Sequence, residues 1–247
     1  MQDDRVQEIR EFWDADAATY DGSTSHHPQT ALELAAWSAA LERLLPPAPA
    51  RVLDVGAGTG FLSLLAAALG HRVTALDLSA QMLERLREKA AAQELDVHTL
   101  EGAAEAAPAG GFDAVIERHV VWTLLEPAAA LDTWRAAAPY GRLLLFESAW
   151  GSAADARESL LAHARARIQA AKKAAPDHHA SYSPELVDAL AHGTGLSAER
   201  LVELVQSSAW GPARIERLRD VEWSIVQAKS GIERMLGAAP RFVVIAG

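Results

Sequence analysis

The sequence predicts an α/β protein organised around a doubly wound, largely parallel sheet. Between residues 51 and 147 short apolar runs alternate with helical stretches, the first run opens into a glycine-rich turn, and the second ends on an aspartate. Strands separated by helices in this way imply βαβ units, hence a parallel sheet with both faces covered.

Composition bounds the rest. The 247 residues are 50% hydrophobic and 23% charged, which suits a full-sized core and a single domain over residues 1–247. With no cysteine there is no disulfide framework, thiolate metal site or cysteine nucleophile, so chemistry falls to carboxylates, histidine, tyrosine, backbone or a bound cofactor. A net charge of −10 argues against nucleic acid as a partner, because that affinity comes largely from Lys and Arg displacing counterions from phosphates. The stretch Met1 to Trp13 does not read as a signal peptide, and no run approaches the ~18 apolar residues of a membrane span, so a cytoplasmic location without a membrane partner is expected.

Taken in order, residues 1–45 read as a helical cover, with Ile9, Phe12 and Trp13 on one stripe and Leu32, Leu34, Trp37, Leu41, Leu44 and Leu45 on a second. Asp21 to Pro28 breaks the pattern as a loop, and Pro46-Pro47-Ala48-Pro49 ends the second helix. The first strand is Arg51 to Val55, the turn Gly56-Ala57-Gly58-Thr59-Gly60, and the following helix Phe61 to Leu69. His71 to Asp77 is the second strand. Ser79 is placed to cap a helix carrying Met82, Leu83, Leu86 and Ala90 at helical spacing. Strands follow at 97–100, 112–117 and 142–147, with a helix near 127–138. Residues 152–175 form a long helical segment that reads either as a solvated surface helix or as a lid. The helical signal returns at 184–191 and 198–205, and segments 214–226 and 241–246 hold the last strand candidates.

The chemistry concentrates at the first turn. Glycines at a strand-to-helix junction allow positive φ and let a ligand approach where a Cβ would otherwise stand. Asp77, about 20 positions on, is placed to accept hydrogen bonds from ribose hydroxyls, the logic of nucleoside-cofactor sites. The spacing G-x-G-x-G, with Phe61 next, departs from the dinucleotide pattern G-x-G-x-x-G. Asp54 would repel a pyrophosphate but suits a cofactor carrying an amine and a sulfonium, as S-adenosylmethionine does. An NAD-dependent oxidoreductase is the rival reading. The structural alternative is a tight turn with Asp54 capping a helix.

On these residues the chain resembles the class I S-adenosylmethionine-dependent methyltransferases, particularly small bacterial ones related to quinone-biosynthesis C-methyltransferases. The resemblance runs from Phe12 onward and is strongest over 51–147. It implies a Rossmann-like sheet of seven strands, the last antiparallel, with N-terminal helices and a helical insertion over 150–195 after the fifth strand forming the acceptor pocket. It also implies that the loop Asp54, Gly56, Ala57, Gly58, Thr59, Gly60 holds the methionine part of the cofactor and Asp77 its ribose. Leu78 and Met82 would flank the adenine, and Gly102-Ala103-Ala104-Glu105 would lie along its edge. The pattern Trp13-Asp14-x-x-Ala17-x-x-Tyr20-Asp21 looks like the family's entry motif, whose tyrosine closes over the cofactor, so Tyr20 joins the catalytic candidates. Pro139-Tyr140-Gly141 departs from the family's usual Pro-Gly-Gly turn.

After the fourth strand the resemblance puts Arg118 and His119 near the methionine end of the cofactor and Trp122 near the entrance to the substrate cavity. His119 is either a proton acceptor from the nucleophile or a cofactor-holding side chain oriented by backbone contacts. His26-His27 and His178-His179 lie in polar stretches, where adjacent side chains diverge, and make no metal constellation. His26, Trp150 and Tyr182 are further candidates to touch the substrate, and Trp122 is either a substrate neighbour or a core residue. The expected activity is methyl transfer to a small aromatic or amine-containing metabolite by a monomer or homodimer. A non-catalytic S-adenosylmethionine-binding protein and an enzyme acting on a peptide terminus are the other readings.

Overall fold

The computed structural model describes residues 2–23, 26–148, 156–171, 182–193 and 196–247. In chain order the elements are α1 (Gln2–Asp16), a single 3-10 turn at Tyr20–Gly22, α2 (Ala31–Leu44), β1 (Arg51–Val55), α3 (Phe61–Ala68), β2 (Arg72–Asp77), α4 (Ala80–Ala92), β3 (Val97–Glu101) and β4 (Ala114–Arg118). Then come α5 (Pro127–Ala137), β5 (Arg142–Ser148), α6 (Ala156–Ala171), α7 (Pro184–Ala189), α8 (Ala198–Ser207), β6 (Ala213–Arg217), α9 (Arg219–Gln227), α10 (Gly231–Leu236) and β7 (Arg241–Ala246).

The seven strands form one sheet in the order β3-β2-β1-β4-β5-β7-β6. The pairs within β3, β2, β1, β4 and β5 are parallel, and β7 runs antiparallel to both β5 and β6. This is the Rossmann-like sheet expected from the sequence. The strand order reverses between β1 and β4, so the loops after those two strands diverge to opposite faces and leave a crevice at the carboxyl edge.

Alternation along the strands builds the two faces. Leu53, Val55, Val115, Leu143, Leu145 and Val244 pack into one core with Leu131 and Trp134 of α5 and Leu201 and Val205 of α8. Their neighbours Val52, Ala114, Ile116, Leu144, Phe146 and Val243 pack into the other with Trp37 and Leu41 of α2, Leu62 of α3 and Val221 of α9. A third cluster seats Leu83 and Leu86 of α4 on Ala75. Local signals start these helices where expected: Ser79 Oγ accepts the Met82 N–H at 3.1 Å, and Thr30 Oγ1 accepts that of Glu33 at 3.1 Å.

One expectation changes. Of the strand candidates in 214–226, only the opening residues are strand (β6), and the remainder is α9. Leu218, Val221 and Ser224 are buried at a spacing of three, which places one face of a helix on the sheet and overrides the β-branched Val and Ile in that segment.

At the carboxyl edge, Ile9 of α1 packs with Leu186 of α7 and with Leu190 just after it, and Trp13, Leu78, Trp122 and Tyr182 pack against them. The amino-terminal helix and the segment after β5 thus meet over the crevice. Below it, Trp134 donates its indole N–H to the carbonyl of Ala104 at 2.8 Å, tying α5 to the turn that follows β3. Trp134→Phe keeps most of the packing and removes this bond, so urea unfolding should show a loss of about 1 kcal/mol, against about 3–5 kcal/mol for Trp134→Ala.

Candidate active site

The turn after β1 is shaped by its glycines. Gly56, Gly58 and Gly60 have φ of +62°, +54° and +93°. A Cβ on Gly56 would lie 2.2 Å from Val120 Cγ2 and one on Gly60 2.8 Å from Leu86 Cγ, so both positions exclude a side chain by contact as well as by conformation. Gly58 differs: a Cβ there would meet nothing nearer than the Tyr20 ring at 3.9 Å. Its smoothness is presented to open space.

Asp77 anchors this turn. Its two carboxylate oxygens accept the Gly58 N–H at 2.7 Å and the Ser79 N–H at 2.8 Å. Burial pushes its pKa up to about 6 despite those bonds. Beside it lies a cleft that opens to solvent. Of the residues expected to hold a cofactor, Tyr20, Gly56, Gly58, Asp77, Leu78, Met82, Gly102, Ala103, Ala104, Arg118 and His119 all line it. Val6, Ile9, Trp13, Leu124 and Leu125 add an apolar wall.

Asp54 lies deeper. It borders a second, smaller cavity with Ala57, Thr59 and Phe61, and this cavity shares Tyr20, Gly56 and Arg118 with the main cleft. Asp54 Oδ2 accepts the Ser63 hydroxyl at 2.5 Å, and burial raises its pKa to about 7. Arg118 is half-buried, with its guanidinium 4.0 Å from the centre of the Phe61 ring. Burial raises the Tyr20 phenol to about 12, so it stays protonated. Gly60 borders neither cavity and begins α3 instead.

The remaining candidates fall around the cleft. His26 stacks on Tyr20 with ring centres 3.8 Å apart, its Nδ1 2.8 Å from the Tyr20 carbonyl. Trp122 and Tyr182 pack on each other at 5.7 Å, and Tyr182 also meets Phe12 at 4.4 Å. None of these three is part of the cleft lining. Trp150 and the pair His178-His179 lie outside the described residues.

Residues 52–141 match the family model of a methyltransferase domain. The chain is 37% identical over 142 residues to a ubiquinone biosynthesis O-methyltransferase of Xanthomonas axonopodis pv. citri, covering 54% of each chain. It is 38% identical over 113 residues to a demethylmenaquinone methyltransferase of Thermus thermophilus, covering 44% of this chain and 51% of the relative. The aligned regions span from a quarter to about half the length of the curated relatives that the chain matches. In fold it resembles magnesium protoporphyrin IX methyltransferase from Synechocystis PCC 6803 with bound SAH, at a TM-score of 0.59 and 16% identity over 96% of this chain and 97% of that one.

Over residues 52–141 the chain is similar to methyltransferase domains, and its fold is that of a solved methyltransferase. S-adenosylmethionine is the cofactor of class I methyltransferases, and the residues fit it. The turn after β1 is bare of side chains at Gly56 and Gly58, an acidic acceptor stands at the end of β2, and a second buried carboxylate faces the adjoining cavity, where a cation would relieve the penalty of ionising it.

Two parts of the site were not anticipated. His119 Nδ1 lies 2.7 Å from Glu147 Oε2, so a carboxylate, and not backbone, orients the ring. Glu117, at the end of β4, is fully buried and accepts the Val120 N–H at 2.8 Å. The available signal was a pair of apolar strands that each close on a glutamate. The entry segment is also pinned more firmly than a mobile flap: Asp21 accepts from Thr59 Oγ1 at 2.7 Å and Lys89 Nζ at 2.9 Å, and Asp14 accepts from Ser79 Oγ at 2.5 Å.

The raised carboxyls set a pH dependence. With Asp54 near 7 and Asp77 near 6 in the ligand-free protein, both carboxyls take up protons as pH falls. The affinity for cationic S-adenosylmethionine should therefore drop between pH 8 and pH 5.5, approaching tenfold per unit for each carboxyl below its pKa, and calorimetry across that range measures it. The same groups act oppositely on stability. A carboxyl raised from 3.8 to about 7 binds more protons folded than unfolded between roughly pH 4 and 7, so its contribution is lost as pH rises through that window. Asp54→Asn should raise the thermal midpoint of the ligand-free protein at pH 8 while weakening cofactor binding and flattening its dependence on pH.

Proposed function

We propose that the chain is an S-adenosylmethionine-dependent methyltransferase acting on a small aromatic or amine-containing metabolite by direct in-line transfer, in the cytoplasm and as a monomer or homodimer. The observation that carries this reading is that one cleft is lined together by the Gly56–Gly58 turn, Asp77, His119 and an apolar wall. Among the described residues, no helix is long and apolar enough to cross a membrane.

Each part of the cleft has a task. Asp77, Leu78, Met82 and Gly102–Ala104 would seat the nucleoside, and Asp54 with Arg118 and Tyr20 would hold the charged amino-acid end. When bound, S-adenosylmethionine supplies a methyl group on a cationic sulfur. What the protein adds is alignment of the acceptor and exclusion of water. Val6, Ile9, Trp13, Leu124 and Leu125 provide the apolar surface that an aromatic acceptor would bury. Tyr20, protonated at neutral pH, closes the side of the turn as a neutral donor.

The test is transfer of a labelled methyl group to a panel of phenols, anilines, quinols, alkylamines, peptides and RNA. Transfer to the small aromatic or amine acceptors is the expected result, and transfer confined to peptide or RNA would overturn the small-molecule reading. Asp77→Ala should weaken cofactor binding by roughly 1–3 kcal/mol, because it removes charge-assisted bonds to ribose and also frees the Gly58 N–H. Unchanged affinity in calorimetry would remove Asp77 from the nucleoside site.

A further inference from the structure

We propose that Glu147 is a positioning residue that sets the tautomer of His119, so that His119 Nε2 takes the proton of an acidic hydroxyl, phenolic or enolic, on the methyl acceptor. This deepens the methyltransferase reading and rests on it.

The geometry isolates one ring nitrogen for the cleft. His119 follows β4 with φ +61°, a region that few non-glycine residues occupy, and its N–H donates to the Phe146 carbonyl at 3.3 Å. The strained backbone turns the ring so that Nδ1 meets Glu147 Oε2 at 2.7 Å, while the side chain borders the cleft and Glu147 does not. With Nδ1 engaged, Nε2 is the nitrogen left for a ligand. Glu147 is only 5% exposed, and its second oxygen, like the Oε1 of Glu117 beside it, has no hydrogen-bond partner.

The charges around the pair decide which atom carries the proton. Arg118 stands next in sequence, Arg241 approaches from β7, and Glu117 faces Glu147 from β4, with Glu33 of α2 and Glu222 of α9 attending Arg241. Burial and the two arginines hold His119 well below the usual imidazole range, and burial lifts Glu147 to about 8. Glu117 is raised well above its ordinary value by burial and by Glu147. Near neutral pH in the free protein, the Glu147 carboxyl therefore donates to Nδ1 and the ring proton sits on Nε2. Once Glu147 ionises, Nδ1 must donate to it and the lone pair moves to Nε2. A sulfonium bound beside Arg118 favours the ionised carboxyl and draws that change to lower pH.

Such a pair is built to receive one proton, which matches an acceptor that must lose one. The hydroxyl O–H bond breaks and its proton goes to Nε2. The oxygen uses the freed electron pair to bond the methyl carbon, and the sulfur keeps the pair of the broken carbon–sulfur bond. The resulting imidazolium is held by the Glu147 carboxylate until the proton leaves to solvent. A neutral amine already offers a lone pair and needs no base before attack, while an ammonium would face Arg118 and Arg241.

The test uses the full chain saturated with S-adenosylhomocysteine, labelled with nitrogen-15 in histidine and followed by NMR from pH 5.5 to 9.5, with His119→Gln to assign the signals. The expected result is a change of the His119 Nε2 signal from protonated to unprotonated, with a midpoint at or below about 8, absent in Glu147→Gln and restored in Glu147→Asp. A tautomer that does not change with pH in the wild type, or the same midpoint in Glu147→Gln, overturns the proposal even though the cofactor product binds. Failure of S-adenosylhomocysteine to bind at all overturns the methyltransferase reading beneath it. Matched phenol and aniline acceptors test the substrate class: faster labelled-methyl transfer to the phenol supports the assignment, and equal or faster transfer to the aniline removes it. Circular dichroism of each variant separates loss of fold from loss of the switch.

Discussion

The Asp77 carboxylate receives the Gly58 N–H on one oxygen and the Ser79 N–H on the other, and the site depends on this double contact. Through Gly58 it fixes the turn after β1, and through Ser79 it fixes the start of α4. Ser79 in turn caps Met82 and donates to Asp14 of the entry segment. One carboxylate therefore registers three segments that are remote in sequence, and it does so at the end of β2, where the parallel pairing with β1 already sets Leu76 beside Val55. The backbone approaches at Gly56 and Gly60 leave no room for a different turn, so the ligand side of Gly58 stays open by construction.

The carboxyl edge of the sheet is a row of acids. Asp54, Asp77, Glu101, Glu117 and Glu147 stand at or next to the last residues of β1, β2, β3, β4 and β5. Glu101 is half exposed and paired with Arg10, but the other four are buried, and burial raises each of them. A ligand-free protein pays for such a row in stability. A cationic ligand offsets the penalty, because a positive charge favours the ionised carboxylate by the same linkage that makes burial disfavour it. Arg118, stacked on Phe61 between the two cavities, keeps part of this balance in the absence of ligand.

How much of this was legible depended on whether the information was local. The strands, the glycine turn and the Ser79 cap follow from residues within about ten positions of one another, and they stand where expected. The pairing of His119 with Glu147 joins positions 28 apart in sequence and arises only when β4 and β5 lie side by side; that of Asp21 with Thr59 joins positions 38 apart and arises only when the entry segment folds onto the turn after β1. The row of acids was written in the sequence, yet only Asp54 and Asp77 stood beside glycine or capping signals that marked them. Trp122 and Tyr182 illustrate the converse. Large aromatics near a site satisfy an apolar interface as readily as a ligand, and here they pack on each other and on Phe12. The strand held in 214–226 stands at its start as β6, and the helix that follows was not marked because Ile and Val suit a strand locally, whereas the buried spacing of Leu218, Val221 and Ser224 is a tertiary fact.

The cover and the turn beneath it differ in how firmly they are held, and the difference bears on access. The turn is fixed by buried bonds to Asp77 and by steric contact with Val120 and Leu86. The cover is fastened by Asp21 to Lys89, with side chains 39% and 32% exposed, and by Arg10 to Glu101. Partly exposed ion pairs of this kind contribute about 0–1 kcal/mol each and weaken with salt, whereas opening the turn would strand buried donors and acceptors. Asp21–Thr59 and Asp14–Ser79 add part-buried bonds to the cover, which is nonetheless the less firmly held of the two layers. Tyr20 belongs to that segment and borders both cavities, so its position over Gly58 joins the cover to the turn that the cleft is built on.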